Sequence, residues 1–349
     1  MGVTGLYTVD IAIVQEFVPA KRRGWITGLT TSLLPVGTLL GAMAGTWLEP
    51  EIGWRGLFVV GLLPAAMTLL IRAWVPESPH WLMGKGRIQE ARQSLAWALM
   101  VDPATIQLPA IGAAAEPVRW VELFKYKRSM IVACLTGISQ TGTVGLTLWL
   151  TTLLVLVLKI SPNEASYLII WFGGIAIFGR LFCAWLSDAV GRRPAVVFAC
   201  VMAAGAMSLA GYLSDIYVAG VSMFYVMILV QNFFGSGQYA IVGPYMAEVW
   251  PSKLRASGMG FGYGFGNLGK FIGPAGLAII AGSDNFVSPK ATLDALVPAM
   301  NYFGFWYLLA AAAIWFVGFE TRGRTIGEID DSLMVSPAAS RAATPGRPG

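Results

Sequence analysis

Residues Glu248-Val249-Trp250-Pro251-Ser252-Lys253-Leu254-Arg255 repeat the pattern of Glu16-Phe17-Val18-Pro19-Ala20-Lys21-Arg22-Arg23 at an offset of 232 (248 less 16). Glu, Pro, Lys and Arg recur in both copies at the same spacing. Flanking matches extend the correspondence over 5–41 and 237–273: Gly5/Gly237, Tyr7/Tyr239, Gly28/Gly260, Gly37/Gly269 and Gly41/Gly273. Glycine matches weigh little in a chain with 41 glycines. The charged block decides, because each copy closes one apolar run and precedes another. Two copies in one orientation mark a parallel repeat of two helical bundles.

The apolar runs themselves exclude a soluble domain. Of 349 residues, 56% are hydrophobic and 12% charged, against roughly 25% charged in soluble domains. The mean hydropathy is +0.65. A spanning helix needs about 20 apolar residues. That ruler places spans at 25–47, 54–75, 129–156, 165–187, 194–213, 217–247, 256–282 and 298–319, after a shorter stub at 2–17. The second bundle starts near 129, so the counterpart of its start lies 103 residues before Met1 (129 less 232). The expectation is that Met1 is an internal methionine of a longer protein, with about three helices and the front of a fourth ahead of it. The alternative is a true nine-span chain.

Lysine and arginine set the orientation. Connections 20–24, 76–128, 188–193 and 251–256 and the tail after 319 carry 3, 7, 2, 2 and 4 of the 24 Lys and Arg; the opposite connections carry Arg55, Lys159 and Lys290. The positive-inside rule then puts the C-terminus in the cytoplasm. The expected organisation is a partial N-terminal bundle over 1–75, a cytoplasmic connector over 76–128, a six-helix bundle over 129–319 and a tail over 320–349. The connector holds an amphipathic helix at 88–100 and a basic stretch (Lys125, Lys127, Arg128) suited to anionic headgroups. The tail, rich in Ala, Pro, Ser and Gly, reads as disordered after about 333.

Several chemistries drop out. The net charge of +5 is spread over loops between spans, so nucleic acid is not a partner. Cys134, Cys183 and Cys200 sit in apolar runs without a disulfide or metal pattern. His80 is the one histidine and lies outside the spans, so neither a metal site nor an intramembrane enzyme is expected. Gly264-Phe265-Gly266-Asn267-Leu268-Gly269 spells a dinucleotide fingerprint but falls inside an apolar helix rather than after a strand. No cofactor and no nucleotide are expected.

The chain resembles the major facilitator superfamily in its sugar-porter-like and metabolite:proton symporter branch. The residues that carry the resemblance are Gly179-Arg180 with Ser187-Asp188-Ala189-Val190-Gly191-Arg192-Arg193-Pro194, the segment Pro76-Glu77-Ser78-Pro79-His80-Trp81-Leu82 (His80 where the family has Arg), the repeated block and Glu320-Thr321-Arg322-Gly323-Arg324. It covers about residues 2–330. The first-half loop motif and the first-helix residues of the family do not occur in this chain. The resemblance implies an all-α, polytopic two-bundle membrane fold with an incomplete N-terminal bundle, and transport of a small molecule with protons. A bacterial inner membrane is the expected location.

Candidate site residues follow from charge and polarity inside spans. Arg180, Asp188, Arg192, Arg193, Glu248 and Arg255 would latch the cytoplasmic side, with Glu16 and Arg23 as first-half counterparts; the alternative is that the basic residues only set topology. Lys270, sharing a helical face with Asn267, Tyr263 and Pro274, would attract an anion or else hold a structural ion pair. Gly262, Gly266, Gly269 and Gly273 form a packing stripe beside it. Asp10, roughly 10 Å from the end of its span, would carry a proton or form a salt bridge. Gln140, Trp149, Gln231, Asn232, Ser236, Gln238 and Tyr239 would line a cavity, or else bond between helices. The resulting expectation is proton-coupled symport of a small organic acid by alternating access, with a sugar or polyol carrier as the alternative. A fragment that does not transport by itself is the second alternative.

Overall fold

A computed structural model describes residues 26, 29–77, 79–106, 108, 120–251, 254–282 and 293–322. The candidates Asp10, Glu16 and Arg23, the stub 2–17 and the tail beyond 322 lie outside the described residues. Packing divides the chain into two compact units. One contains Met1–Thr46 with Trp120–Gly349, and the other contains Trp47–Arg119.

The smaller unit begins with α2 (Glu49–Val60) and α3 (Leu62–Trp74), which run on as one apolar segment of 26 residues. Gly53 interrupts α2 with a φ of +67°, a value glycine reaches at low cost. Two short helices follow, α4 (Pro79–Gly84) and α5 (Ile88–Leu99), which pack on each other. Helix α5 occupies the stretch whose spacing predicts an amphipathic helix and buries Ala91, Ser94 and Ala96. Ser94 donates to the Glu77 carbonyl at 2.5 Å. Exposed Arg87 and Glu90 form an ion pair one turn apart; hydrogen bonding to Glu90 is the main reason the arginine pKa is raised.

The larger unit holds α1 (Leu33–Trp47, inside an apolar helix that starts at Leu29) and the second bundle. Helices α6 (Lys127–Ile138) and α7 (Gln140–Leu158) form one crossing segment bent at Ser139, followed by α8 (Pro162–Val190) and α9 (Arg192–Tyr212). Helix α8 opens with a capping box: Ser161 Oγ accepts from Glu164 N, and the Glu164 carboxylate accepts from Ser161 N. Helices α10 (Met223–Gly237), α11 (Tyr239–Glu248), α12 (Arg255–Gly266), α13 (Gly269–Ala281) and α14 (Leu296–Ala312) complete the unit. Helix α14 ends in a π-turn at Ala313–Val317.

Six helices among the described residues are long and apolar enough to cross a membrane. Two expected spans differ from continuous helices. The stretch 217–247 opens with a small hairpin, Tyr217–Val218 paired with Val221–Ser222, turned at Ala219 and Gly220, both with positive φ. Its helix then breaks at Gln238, after Gly235-Ser236-Gly237, and Pro244 in α11 has no N–H to donate. The stretch 256–282 breaks at Asn267-Leu268, where Gly262, Gly264 and Gly266 lower helix propensity. Such breaks survive at membrane depth only where neighbouring protein covers the backbone.

Small residues bring these helices together. A Cβ on Gly137 would lie 2.3 Å from the Gly262 carbonyl oxygen, and one on Gly266 would lie 2.6 Å from that of Gly137. Gly269 sits equally close to Thr141. The glycine stripe of 262–273 therefore packs against α6 and α7. Across the bundle, Gly179 and Gly237 seat α8 on α10, since a Cβ on Gly179 would strike the Phe233 carbonyl at 2.0 Å. Without a hydrophobic driving force between helices, close contacts of this kind carry the association.

Candidate functional site

Helix α8 is 29 residues long, and its arginine at position 180 does not reach the end of the helix. Arg180 is 7% exposed and lines a cavity of about 240 Å³. Its Nε donates to Ser236 Oγ at 3.3 Å, its Nη1 donates to the Thr31 carbonyl, and its Cζ stands 5.8 Å from the centre of the Tyr239 ring. A cation at membrane depth costs about 3 kcal/mol or more, and such residues face an interior or a cavity. The hydrogen bonds and the ring face offset part of that cost here.

The walls come from five helices. Leu34, Pro35 and Thr38 come from α1, Thr143 and Thr147 from α7, Phe172, Gly173 and Ala176 from α8, and Asn232 and Ser236 from α10; Tyr239 opens α11. Asn232 donates to the Phe172 carbonyl at 2.6 Å. Behind the wall a chain of hydrogen bonds leads into the bundle. Tyr239 Oη donates to Thr143 Oγ1 at 3.0 Å, Thr143 Oγ1 lies 2.6 Å from Tyr307 Oη, and Gln231 Nε2 donates to Tyr307 Oη at 2.8 Å.

The structure thus brings Tyr239, Asn232 and Ser236 to the cavity and connects Gln231 to it through Tyr307. Other cavity candidates lie elsewhere. Gln238 is 1% exposed and accepts from Cys200 Sγ at 2.7 Å. Gln140 turns its amide toward Gly266, and the amide nitrogen is buried with no partner among the described residues. Trp149 lines an apolar crevice of about 10 Å³ with Leu277, Met300 and Phe303. Asn267 donates to the Tyr263 carbonyl of its own helix, and Lys270, at the start of α13, is exposed. Thr143, Thr147 and Thr38 are wall residues that polarity alone did not single out. Thr143 and Thr147 are one helical turn apart, a spacing that places both on one face.

The charged latch candidates form a second cluster. Arg192 Nη1 meets Asp188 Oδ1 at 2.7 Å and Ser187 Oγ at 2.9 Å, and its Nε lies 3.7 Å from Glu248 Oε2. Arg192 and Glu248 are both buried. Thr321 Oγ1 donates to Glu248, and the Glu320 carboxylate accepts from the backbone N–H groups of Arg192 and Arg193 at 2.9 and 3.1 Å. An acid there complements the positive end of α9. Glu320 was visible in sequence only as part of a terminal motif. Arg193 and Arg128 donate to carbonyls of the π-turn and Gly318, and Arg255 donates to the Ala247 carbonyl at 3.0 Å. Arg180 belongs to the cavity, not to this cluster.

Comparison with known proteins follows the same lines. The family model described as "Sugar (and other) transporter" matches residues 1–333. The chain is 25% identical over 283 residues to the cis,cis-muconate transport protein of Acinetobacter baylyi, covering 80% of this chain and 63% of that protein. It is 26% identical over 340 residues to the niacin transporter NiaP of the same organism, covering 94% of this chain and 73% of the relative. Among solved structures, the proton:xylose symporter XylE bound to 6-bromo-6-deoxy-D-glucose superposes with a TM-score of 0.69 at 19% identity, over 94% of this chain and 70% of XylE. These relatives are transporters, not enzymes. The all-α fold is that of a major facilitator, and the chain belongs to the sugar (and other) transporter family of integral membrane proteins.

Proposed function

We propose that the protein containing this chain moves a small organic acid across a membrane together with protons, by alternating access. The observation that carries the acid reading is the buried guanidinium of Arg180 on the cavity wall. A cavity of about 240 Å³ lies just below the usual range of small-molecule sites, about 300–1,000 Å³, which suits a compact cargo. The names of the muconate and niacin relatives, both carboxylates, agree with a cationic site. The Arg192, Asp188 and Glu248 cluster serves as the cytoplasmic latch, and the membrane is a bacterial inner membrane with the C-terminus inside. Asp10 is the proposed proton carrier, and Lys270 serves at most a secondary, long-range role in attracting the anion.

A sugar or polyol cargo is the second reading, favoured by the hydroxyl and amide lining of Thr143, Thr147, Asn232 and Ser236. Uptake in proteoliposomes made with the full-length carrier separates the two. Under an inward proton gradient, labelled benzoate or nicotinate accumulates and glucose does not. Asp10→Asn abolishes the dependence on the gradient while leaving exchange of preloaded cargo. Accumulation of glucose, with no uptake of either acid, would favour the sugar reading.

A further inference from the structure

We infer that Pro35 is a positioning residue for the cargo site: having no N–H of its own, it leaves the Thr31 carbonyl to Arg180, and that bond holds the guanidinium at the cavity wall. This rests on reading the cavity as the cargo site. In an α-helix the carbonyl of residue 31 accepts from the N–H of residue 35. Position 35 is proline, which has no N–H and whose ring crowds the carbonyl four residues back. The apolar helix that starts at Leu29 is interrupted by a turn at Ser32, where the Ser32 N–H donates to the Leu29 carbonyl at 3.1 Å, and α1 resumes at Leu33. Thr31 and Pro35 are both buried. A buried carbonyl that has lost its helical donor needs another. Arg180 Nη1, from α8, donates to it.

The second copy of the repeat supplies an internal comparison. At the offset of 232, Thr31 and Pro35 correspond to Tyr263 and Asn267. Asn267 has an N–H, which donates to the Tyr263 carbonyl at 3.1 Å, and its side-chain amide donates to the same oxygen at 3.2 Å. That carbonyl is engaged within its own segment. In the first copy the residue in Asn267's place has no N–H, and the carbonyl is engaged by a guanidinium from another helix. Arg180 is thereby anchored twice, by the Thr31 carbonyl and by Ser236 Oγ of α10, and both Pro35 and Ser236 stand on the cavity wall. A long side chain held in this way has given up its rotamer freedom before the cargo arrives, and preorganisation of that kind raises affinity.

The test uses the purified full-length carrier with benzoate as the probe, and affinity is read from the rise in Tm with ligand concentration. Pro35→Ala gives the Thr31 carbonyl its helical donor back. It should weaken benzoate binding about tenfold, the scale of one hydrogen bond to a charged group. The control places the α-hydroxy analogue of alanine at position 35, which has the same methyl group but an ester in place of the N–H. It should bind within about threefold of the wild type, a rescue that loss of the proline ring alone would not produce. If Pro35→Ala does not fold, Pro35→Val and its α-hydroxy analogue carry the same comparison. Wild-type affinity in a folded Pro35→Ala, with binding lost in Arg180→Gln, overturns this inference while leaving the acid reading intact. Equal weakening in the amide and the ester overturns it as well, since the N–H then plays no part. Failure of the wild type to bind benzoate overturns both.

Discussion

Replacing Glu248 with Gln removes one charge from the buried cluster while keeping shape and an acceptor for Thr321. At 3.7 Å and an effective dielectric constant of about 20, the Arg192–Glu248 attraction is about 4.5 kcal/mol. Desolvation of the two ions offsets part of it. Asp188, 2.7 Å from Arg192, still neutralises the arginine after the change. A net loss of about 2 kcal/mol is therefore expected in the latched state, which converts to about thirtyfold in the opening equilibrium. The assay places a cysteine at Ala176, a buried wall residue of the cavity. Its labelling by a membrane-impermeant maleimide is followed in inverted vesicles, where the cytoplasmic face is outward. Glu248→Gln should speed labelling by up to about thirtyfold, the factor that follows from that 2 kcal/mol. An unchanged rate, in a variant whose Tm matches the parent, refutes the latch.

Two further predictions concern packing and helix ends. Gly137→Ala puts a methyl group 2.3 Å from a backbone carbonyl of the facing helix, whereas Gly260→Ala meets nothing within 4 Å. The first should cost about 1–3 kcal/mol and the second should be neutral, read as Tm in detergent; equal Tm values contradict the close-packed seam. Glu320→Gln removes a charge from two backbone N–H groups at the start of α9 and should cost about 1 kcal/mol, with a drop in Tm that added salt diminishes. A Tm unaffected at low salt would show that Glu320 does not cap the helix.

Sequence carried the large features because each has a strong physical signal. Long apolar runs require lipid or burial, and the second copy of the repeated Glu-x-x-Pro-x-Lys-x-Arg block begins where α11 ends, at Glu248. The Asp188, Arg192 and Glu248 cluster was legible for the same reason: charges at helix ends need partners. Arg180 was harder to place. It lies eight residues before Asp188, about 12 Å along a helix at 1.5 Å per residue, so proximity in the motif did not mean proximity in space. Lys270 was grouped with Tyr263, Asn267 and Pro274 by spacing across 256–282, a stretch that the structure divides into α12 and α13 at Asn267-Leu268. Gln231 and Gln238 were expected to line the cavity or else to bond between helices, and their amides are engaged by Tyr307 and Cys200. A sequence pattern records which face is polar; it does not record which polar atoms the core has already engaged.

The most direct test of the account is equilibrium binding of labelled benzoate to the purified carrier, compared between wild type, Arg180→Gln and Lys270→Gln. Arg180 lines the cavity and Lys270 is exposed at the start of α13. Binding should weaken at least tenfold in Arg180→Gln, the scale of a lost charge-assisted hydrogen bond, and stay within about threefold of wild type in Lys270→Gln, since Lys270 does not line the cavity. Full-strength binding in Arg180→Gln, with the loss appearing in Lys270→Gln instead, would contradict the assignment of the cavity as the anion site.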